Sequence, residues 1–375
     1  MHRWVWVALC AGVSAFAAIP VSARSPTVLS SLVEVRLAVD TDRPENSRVV
    51  TVDGVAGGLV LLSLDGGVSQ TVPLPAWKTL DTRSRIGGAV LVGASPSSSL
   101  LAAYLMRDGG FDTTPVALSS QALPTRVALL QTGQGVFRVF VETATGTLSE
   151  FALNVTAAPP TLTPTTSYVL PGSVLAMAAD DVAATLYLSV QNSGLGHLVD
   201  GGFVVDVAPD AGVVSGLSLI QGTDAGVLFA ALSAVASPVA YRVGGGALTR
   251  VGTLEIAGTP AVSAIAVSRQ GPAPFTRGVV AVNDVPRGTF TGTVALLSLD
   301  DVVAAVPGLP LASDAGSSDA GRSDGGSAGP GGLMGGGGGD ETPAPASPCG
   351  CHTSSALCAF LLAPFALFRR RKESP

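Results

Sequence analysis

Between Pro26 and Leu309, short runs rich in Val, Leu and Ala alternate with clusters of Gly, Asp, Ser and Pro. No long segment repeats apolar residues at helical spacing, so the pattern predicts an all-β core. Six runs line up, at 49–52, 90–93, 137–140, 185–188, 228–231 and 278–281. After a turn, each is followed by a second run, at 58–62, 99–104, 146–148, 196–198, 238–241 and 292–296. The first and last of these share Leu-Leu-Ser-Leu-Asp, at 61–65 and 296–300. A hairpin unit recurring at about 45 residues has the spacing of a propeller blade, a small sheet that buries its faces against its neighbours. Six units predict a six-bladed β-propeller over 26–309. Two β-sandwich domains could use the same short strands, and the regular period favours the ring.

The runs are apolar without alternation, as befits strands covered on both faces. Gly93, Ala94 and Ala231 are expected where the blades crowd toward the central channel, and residues 32–39 are expected to close the ring by completing the last blade. Tyr104, Tyr187 and Tyr241 fall on runs and are read as packed core.

Composition narrows the function classes. Hydrophobic residues make up 47% of the chain and charged residues 13%, too apolar for disorder, while 46 Gly and 26 Pro interrupt any helical design. The net charge is −6, the only lysines are Lys78 and Lys372, and no Lys or Arg lies between Arg138 and Arg242. A groove tracking nucleic-acid phosphates needs the opposite balance, and polyanionic ligands start at a disadvantage. The cysteines (Cys10, Cys349, Cys351 and Cys358) all fall outside the repeated region, so neither disulfides nor a cysteine-held zinc can support the core. His197 is the only histidine within the core, which excludes schemes needing a histidine pair.

Both ends read as processing segments. Residues 1–23 form a signal peptide: basic Met1-His2-Arg3, an apolar stretch, and Val21-Ser22-Ala23 as a small-residue cleavage site after Ala23. Residues 310–348 are a Gly/Ser/Pro/Asp linker with too little apolar surface to order itself. Residues 349–372 begin with Cys349-Gly350-Cys351, continue into an apolar run at 354–368 and end on Arg369-Arg370-Arg371-Lys372, the order of a short membrane segment with a positive flank. This tail resembles the MYXO-CTERM sorting signals of myxobacterial surface proteins. The resemblance implies export to the cell envelope and outer surface, and membrane contact through the tail. It also implies processing by sorting machinery near Cys349 and Cys351, with retention or release afterwards.

Laid end to end, the six units resemble the β-propeller phytases (3-phytases). The likeness is carried by Pro44-Glu45-Asn46-Ser47-Arg48-Val49-Val50, Gly58-Leu59-Val60, Leu64-Asp65-Gly66, Met177-Ala178-Ala179-Asp180-Asp181 with Leu186-Tyr187, Ser215-Gly216-Leu217, and 278–284 ending in Asn283-Asp284. The resemblance implies a channel mouth where carboxylates hold several calcium ions, which together with Lys and Arg bind phosphates and activate water. Hard cations need such an oxygen cluster. Carried over position by position, most of that set is absent: the glutamates fall at Leu175 and Ser215, a glutamine near Ser233, and aspartates near Ser263 and Ala266. Expected cationic positions carry Gly54, Val55, Ser97 and Ala144. Glu34, Asp180, Asp181 and Asp284 remain as candidate calcium ligands. For Asp180-Asp181 the competing reading is a polar pair capping the turn before Leu186, and this is the reading we favour.

The chain has no Gly-x-Ser-x-Gly elbow, no metal-binding histidine spacing and no phosphate-cradling glycine loop followed by lysine. The sequence therefore predicts an exported, phytase-like propeller that binds or interacts without catalysis. The alternatives are a calcium-dependent phosphomonoesterase with a reduced metal site, acting on phytate or a phosphate ester, and a structural envelope protein.

Overall fold

The computed structural model describes residues 21–310 apart from 23, 30–31, 54–57, 74–78, 86–87, 96–99, 113–115, 120–123, 145, 201, 210–212, 222–224, 233–236, 246, 258–261, 285–291 and 307. The chain divides into two units, Met1–Ser317 and Ser318–Pro375, and every described residue belongs to the first.

After the two-residue β1 (Val21–Ser22) and β2 (Arg24–Leu29), the chain builds antiparallel sheets one after another. Blade 1 is β3 (Leu32–Ala38), β4 (Arg48–Asp53), β5 (Gly58–Ser63) and β6 (Val68–Pro73). Blade 2 is β7 (Thr79–Arg85), β8 (Gly88–Ser95) and β9 (Leu100–Arg107), with β10 (Gly110–Phe111) and β11 (Val116–Ser119) both on β9. Blade 3 runs β12 (Arg126–Gly133), β13 (Val136–Ala144), β14 (Thr147–Asn154) and β15 (Thr161–Val169). Blade 4 runs β16 (Val174–Asp180), β17 (Thr185–Val190), β18 (Gly194–Val199) and β19 (Gly202–Val207). Blade 5 runs β20 (Val214–Ile220), β21 (Gly226–Leu232), β22 (Val239–Gly244) and β23 (Ala247–Thr253). The short β24 (Ile256–Ala257) pairs with β1. Blade 6 is β25 (Val262–Ser268), β26 (Val279–Asp284) and β27 (Gly292–Ser298), completed by β2 as its outer strand. The helix α1 (Leu299–Ala305) follows and lays Leu299 and Val302 on the core between blades 5 and 6.

The first strands of the blades touch in a closed series, β3 to β7, β12, β16, β20, β25 and back to β3. This is a six-bladed propeller. Its core is not one mass but six apolar clusters, one at each junction between blades. That arrangement explains the unbroken apolar runs: each second strand lies inside its sheet with a neighbouring blade on either face, and every residue of β21 is buried.

The twelve aligned runs are the second and third strands of the six blades, as the repeat predicts. Two placements need correction. Residues 32–38 do not complete the last blade; they form the channel-lining strand of blade 1, and the closing strand is β2, whose Thr27, Val28 and Leu29 pair with Val294, Thr293 and Gly292. Gly93 and Ala231 are not beside the channel either. They sit on second strands, where small residues serve the packing of blade on blade, while the channel is lined by the more polar first strands. Tyr104, Tyr187 and Tyr241 are buried, as expected.

Candidate functional site

The six first strands run side by side around the axis, so their N-terminal ends form one mouth of the channel and their C-terminal ends the other. In β3 and β7 the alternation puts charged side chains on the channel side: Glu34 and Arg36 on one, Asp81 and Arg83 on the other. These four groups form a ladder of contacts. Arg36 Nη2 donates to Glu34 Oε1 at 2.6 Å and Arg36 Nε to Asp81 Oδ1 at 3.2 Å. Arg83 Nη1 donates to Asp81 Oδ2 at 3.2 Å, and Arg83 Nε reaches Asp181 Oδ2 in blade 4 at 3.1 Å. Arg83 therefore bridges blades that are not adjacent. Burial of its guanidinium works against the charge, but the Asp81 and Asp181 carboxylates outweigh that and hold its pKa above the ordinary arginine value.

The same carboxylates also grip backbone amides of an adjacent blade. Leu80 N donates to Glu34 Oε2 at 3.0 Å, Leu129 N to Asp81 Oδ2 at 2.7 Å, and Gln131 N to Asp181 Oδ1 at 2.7 Å. Glu142 takes the Val174 amide at 2.7 Å, the Gln221 amide group donates to Asp180 Oδ1, and Ser218 Oγ accepts from Val267 N at 3.0 Å. Five of the six junctions thus carry a polar tie between blades among the described residues.

Two cavities lie along the axis. The larger, about 200 Å³, opens among the C-terminal ends and is lined by Arg36, Asp81, Arg83, Asp181, Gln221 and Ser268 among others. The smaller, about 50 Å³, lies among the N-terminal ends beside Glu34, Thr79, Arg126, Leu175 and Ser215. Arg36 and Met177 line both and stand between them.

Of the sequence-predicted ligands, Glu34 and the pair Asp180-Asp181 do not converge. Glu34 borders the smaller cavity. Asp180 and Asp181 are at the opposite end, where Asp180 Oδ1 accepts from Val182 N and Ala183 N, both at 2.9 Å. That is the turn cap preceding the Leu186 strand. Asp284 ends β26 opposite Val262, placing its backbone at the mouth near the N-terminal ends of the first strands; its side chain lies outside the described residues. Ala23, Cys349 and Cys351 also lie outside them. A calcium site needs about six to eight oxygens around one point. Here the three carboxylates of the ladder, Glu34, Asp81 and Asp181, are separated by the guanidinium groups of Arg36 and Arg83, and their oxygens already accept protein hydrogen bonds. The residues present do not fit a calcium cage, and among the described residues no three His, Cys, Asp or Glu side chains gather at one point.

Sequence reasoning missed Arg36, Asp81 and Arg83. The signal was there: Glu34/Arg36 and Asp81/Arg83/Arg85 recur at period two, the mark of a strand with one charged face. His197, by contrast, is a packed residue, its Nδ1 2.8 Å from Asp206 Oδ2 within blade 4 and away from the axis.

The sequence matches no protein-family model, and it matches no curated protein. Among solved structures it is similar to the β-propeller domain of Cps50 (Swd1) from Myceliophteria thermophila, at 10% identity over 72% of this chain and 98% of that one, with a TM-score of 0.47. It is similar too to a streptogramin B lyase, at 14% identity over 69% of this chain and 80% of that one, TM-score 0.45. A third similar structure is virginiamycin B lyase from Staphylococcus aureus, at 13% identity over 69% of this chain and 81% of that one, TM-score 0.45.

Proposed function

We propose that this chain is an exported, surface-sorted, phytase-like propeller that binds a partner or ligand and does not hydrolyse phosphate esters. One observation carries the reading: the channel carboxylates Glu34, Asp81 and Asp181 are engaged by Arg36, Arg83 and the amides of neighbouring blades, so they hold the ring together instead of presenting oxygens to cations. The resemblance of the repeats to the phytases supplies the descent, and the segments at 1–23 and 349–372 supply the route to the cell surface.

The test is a calcium titration of the full chain, followed by thermal unfolding, with phosphate release from phytate and from p-nitrophenyl phosphate measured in parallel. The expected result is an unchanged melting temperature and no release. A calcium-dependent rise in both would return the chain to the hydrolases. Intact mass of the surface form checks the route: a mature chain beginning at Arg24 is expected.

A further inference from the structure

We propose that the outer strand of blade 4, β19, is a docking edge for an extended, basic polypeptide segment. The inference rests on the binding reading above and moves the binding surface from the channel to the rim.

Outer strands present unpaired backbone groups, and proteins usually blunt them with proline, basic residues or brevity. Five of the six outer strands here do so: β2 carries Arg24 and Pro26, β6 ends in Pro73, β15 has Pro164 at its centre, β23 has Arg250, and β11 is four residues long. β19, Gly-Phe-Val-Val-Asp-Val, has no proline or basic residue, and its one charged side chain, Asp206, is turned inward onto His197 of β18. Among the described residues it pairs only with β18, and no described strand pairs with its other edge. Val204 and Val205 on it are 43% and 48% exposed, two successive valines open to solvent on one outer strand. Gly196 lets β19 lie close on β18, since a side-chain carbon there would come within 1.9 Å of Val204 O.

Beside this edge, a groove of about 630 Å³ separates blades 3 and 4. Val199, Phe203 and Val204 form one side, and the loop from Val169 to Pro171 forms the other, with Val169 87% exposed. An apolar groove flanking an open strand suits a segment that adds as a further strand and drops alternate side chains into the groove.

Charge decides what kind of segment. Blade 4 carries four carboxylates, Asp180, Asp181, Asp200 and Asp206, and no Lys or Arg; Asp180 and Asp181 are engaged at the axis, which leaves Asp200 and Asp206 on the side of β19. Asp200 stands in the groove itself. A second copy of this chain would bring like charge to the same place, whereas a segment alternating apolar and basic residues is complementary on both counts.

The experiment titrates the full chain with a short labelled peptide alternating valine and lysine, and with its valine–glutamate counterpart. The lysine peptide is expected to bind, more weakly as salt rises, and the glutamate peptide not to bind. Val205→Lys is expected to weaken binding at least about tenfold, and Val169→Lys, at a position open enough to spare the fold, to weaken it as well. Failure of the lysine peptide to bind, equal binding of both peptides, or indifference to Val205→Lys would overturn the proposal. So would concentration-dependent dimers in ultracentrifugation that Val205→Lys abolishes, since the edge would then belong to a second copy. Calcium-dependent phosphate release with intact peptide binding would defeat only the non-hydrolytic reading, and absence of both would defeat only the docking edge.

Discussion

Asp81 accepts hydrogen bonds from Arg36, Arg83, Thr82 N and Leu129 N, which makes it the most heavily engaged carboxylate on the axis among the described residues. Asp81→Ala leaves two guanidiniums short of a partner and a blade 3 amide unpaired. Because Glu34 and Asp181 still hold the two arginines, the expected loss is about 3 kcal/mol, at the lower end for breaking a buried pair, read from denaturant unfolding. Asn283 presents the opposite case. Its amide is fully buried at the junction of blades 6 and 1, and neither its oxygen nor its nitrogen has a hydrogen-bond partner among the described residues. Asn283→Val removes that mismatch on a strand where a β-branched side chain fits, and should raise stability by about 1 kcal/mol, seen as a higher melting temperature. Residues of this kind were the least legible from sequence. A carboxylate reads the same whether it faces a cation or a neighbouring amide, and only the placement of the next blade, some fifty residues on, decides which.

At the scale of elements, the hairpins were legible because each second strand is covered on both faces and therefore written in unbroken apolar runs. The first and outer strands were not, since one borders the channel and the other solvent, and both mix polar with apolar residues. That is why the sequence points to residues 32–39 for closure, which β2 performs. Deleting residues up to 30 should leave blade 6 with three strands and an open edge on β27. At about 1 kcal/mol per ladder hydrogen bond, the expected loss is on the order of 4 kcal/mol, with self-association in size-exclusion chromatography. A truncated chain as stable as the full one would show that β2 does not seal the ring.

Across the whole molecule, burial has one collective signature. All four tyrosines have pKa values above the ordinary range: Tyr104 is pushed to about 12 by burial, Tyr187 to about 12 by burial and then by Asp180 and Asp206, and Tyr168 and Tyr241 upward chiefly by burial. A group with a raised folded pKa favours the folded state fully below the unfolded value, about 10, and that advantage is lost as pH climbs through the folded value. Native absorbance at 295 nm should therefore lag the unfolded titration by up to about two pH units, and stability should fall between about pH 10 and 12. Superimposed titrations would contradict the burial of these rings. The circular plan also has a consequence in time. Arg24 must meet Leu296 and Leu29 must meet Gly292, so β2, among the earliest strands to be synthesised, waits for β27, the last one described. Any machinery that threads the polypeptide from its N-terminus will hold an open row of blades until blade 6 has emerged, and the molecule acquires its final shape in a single late act.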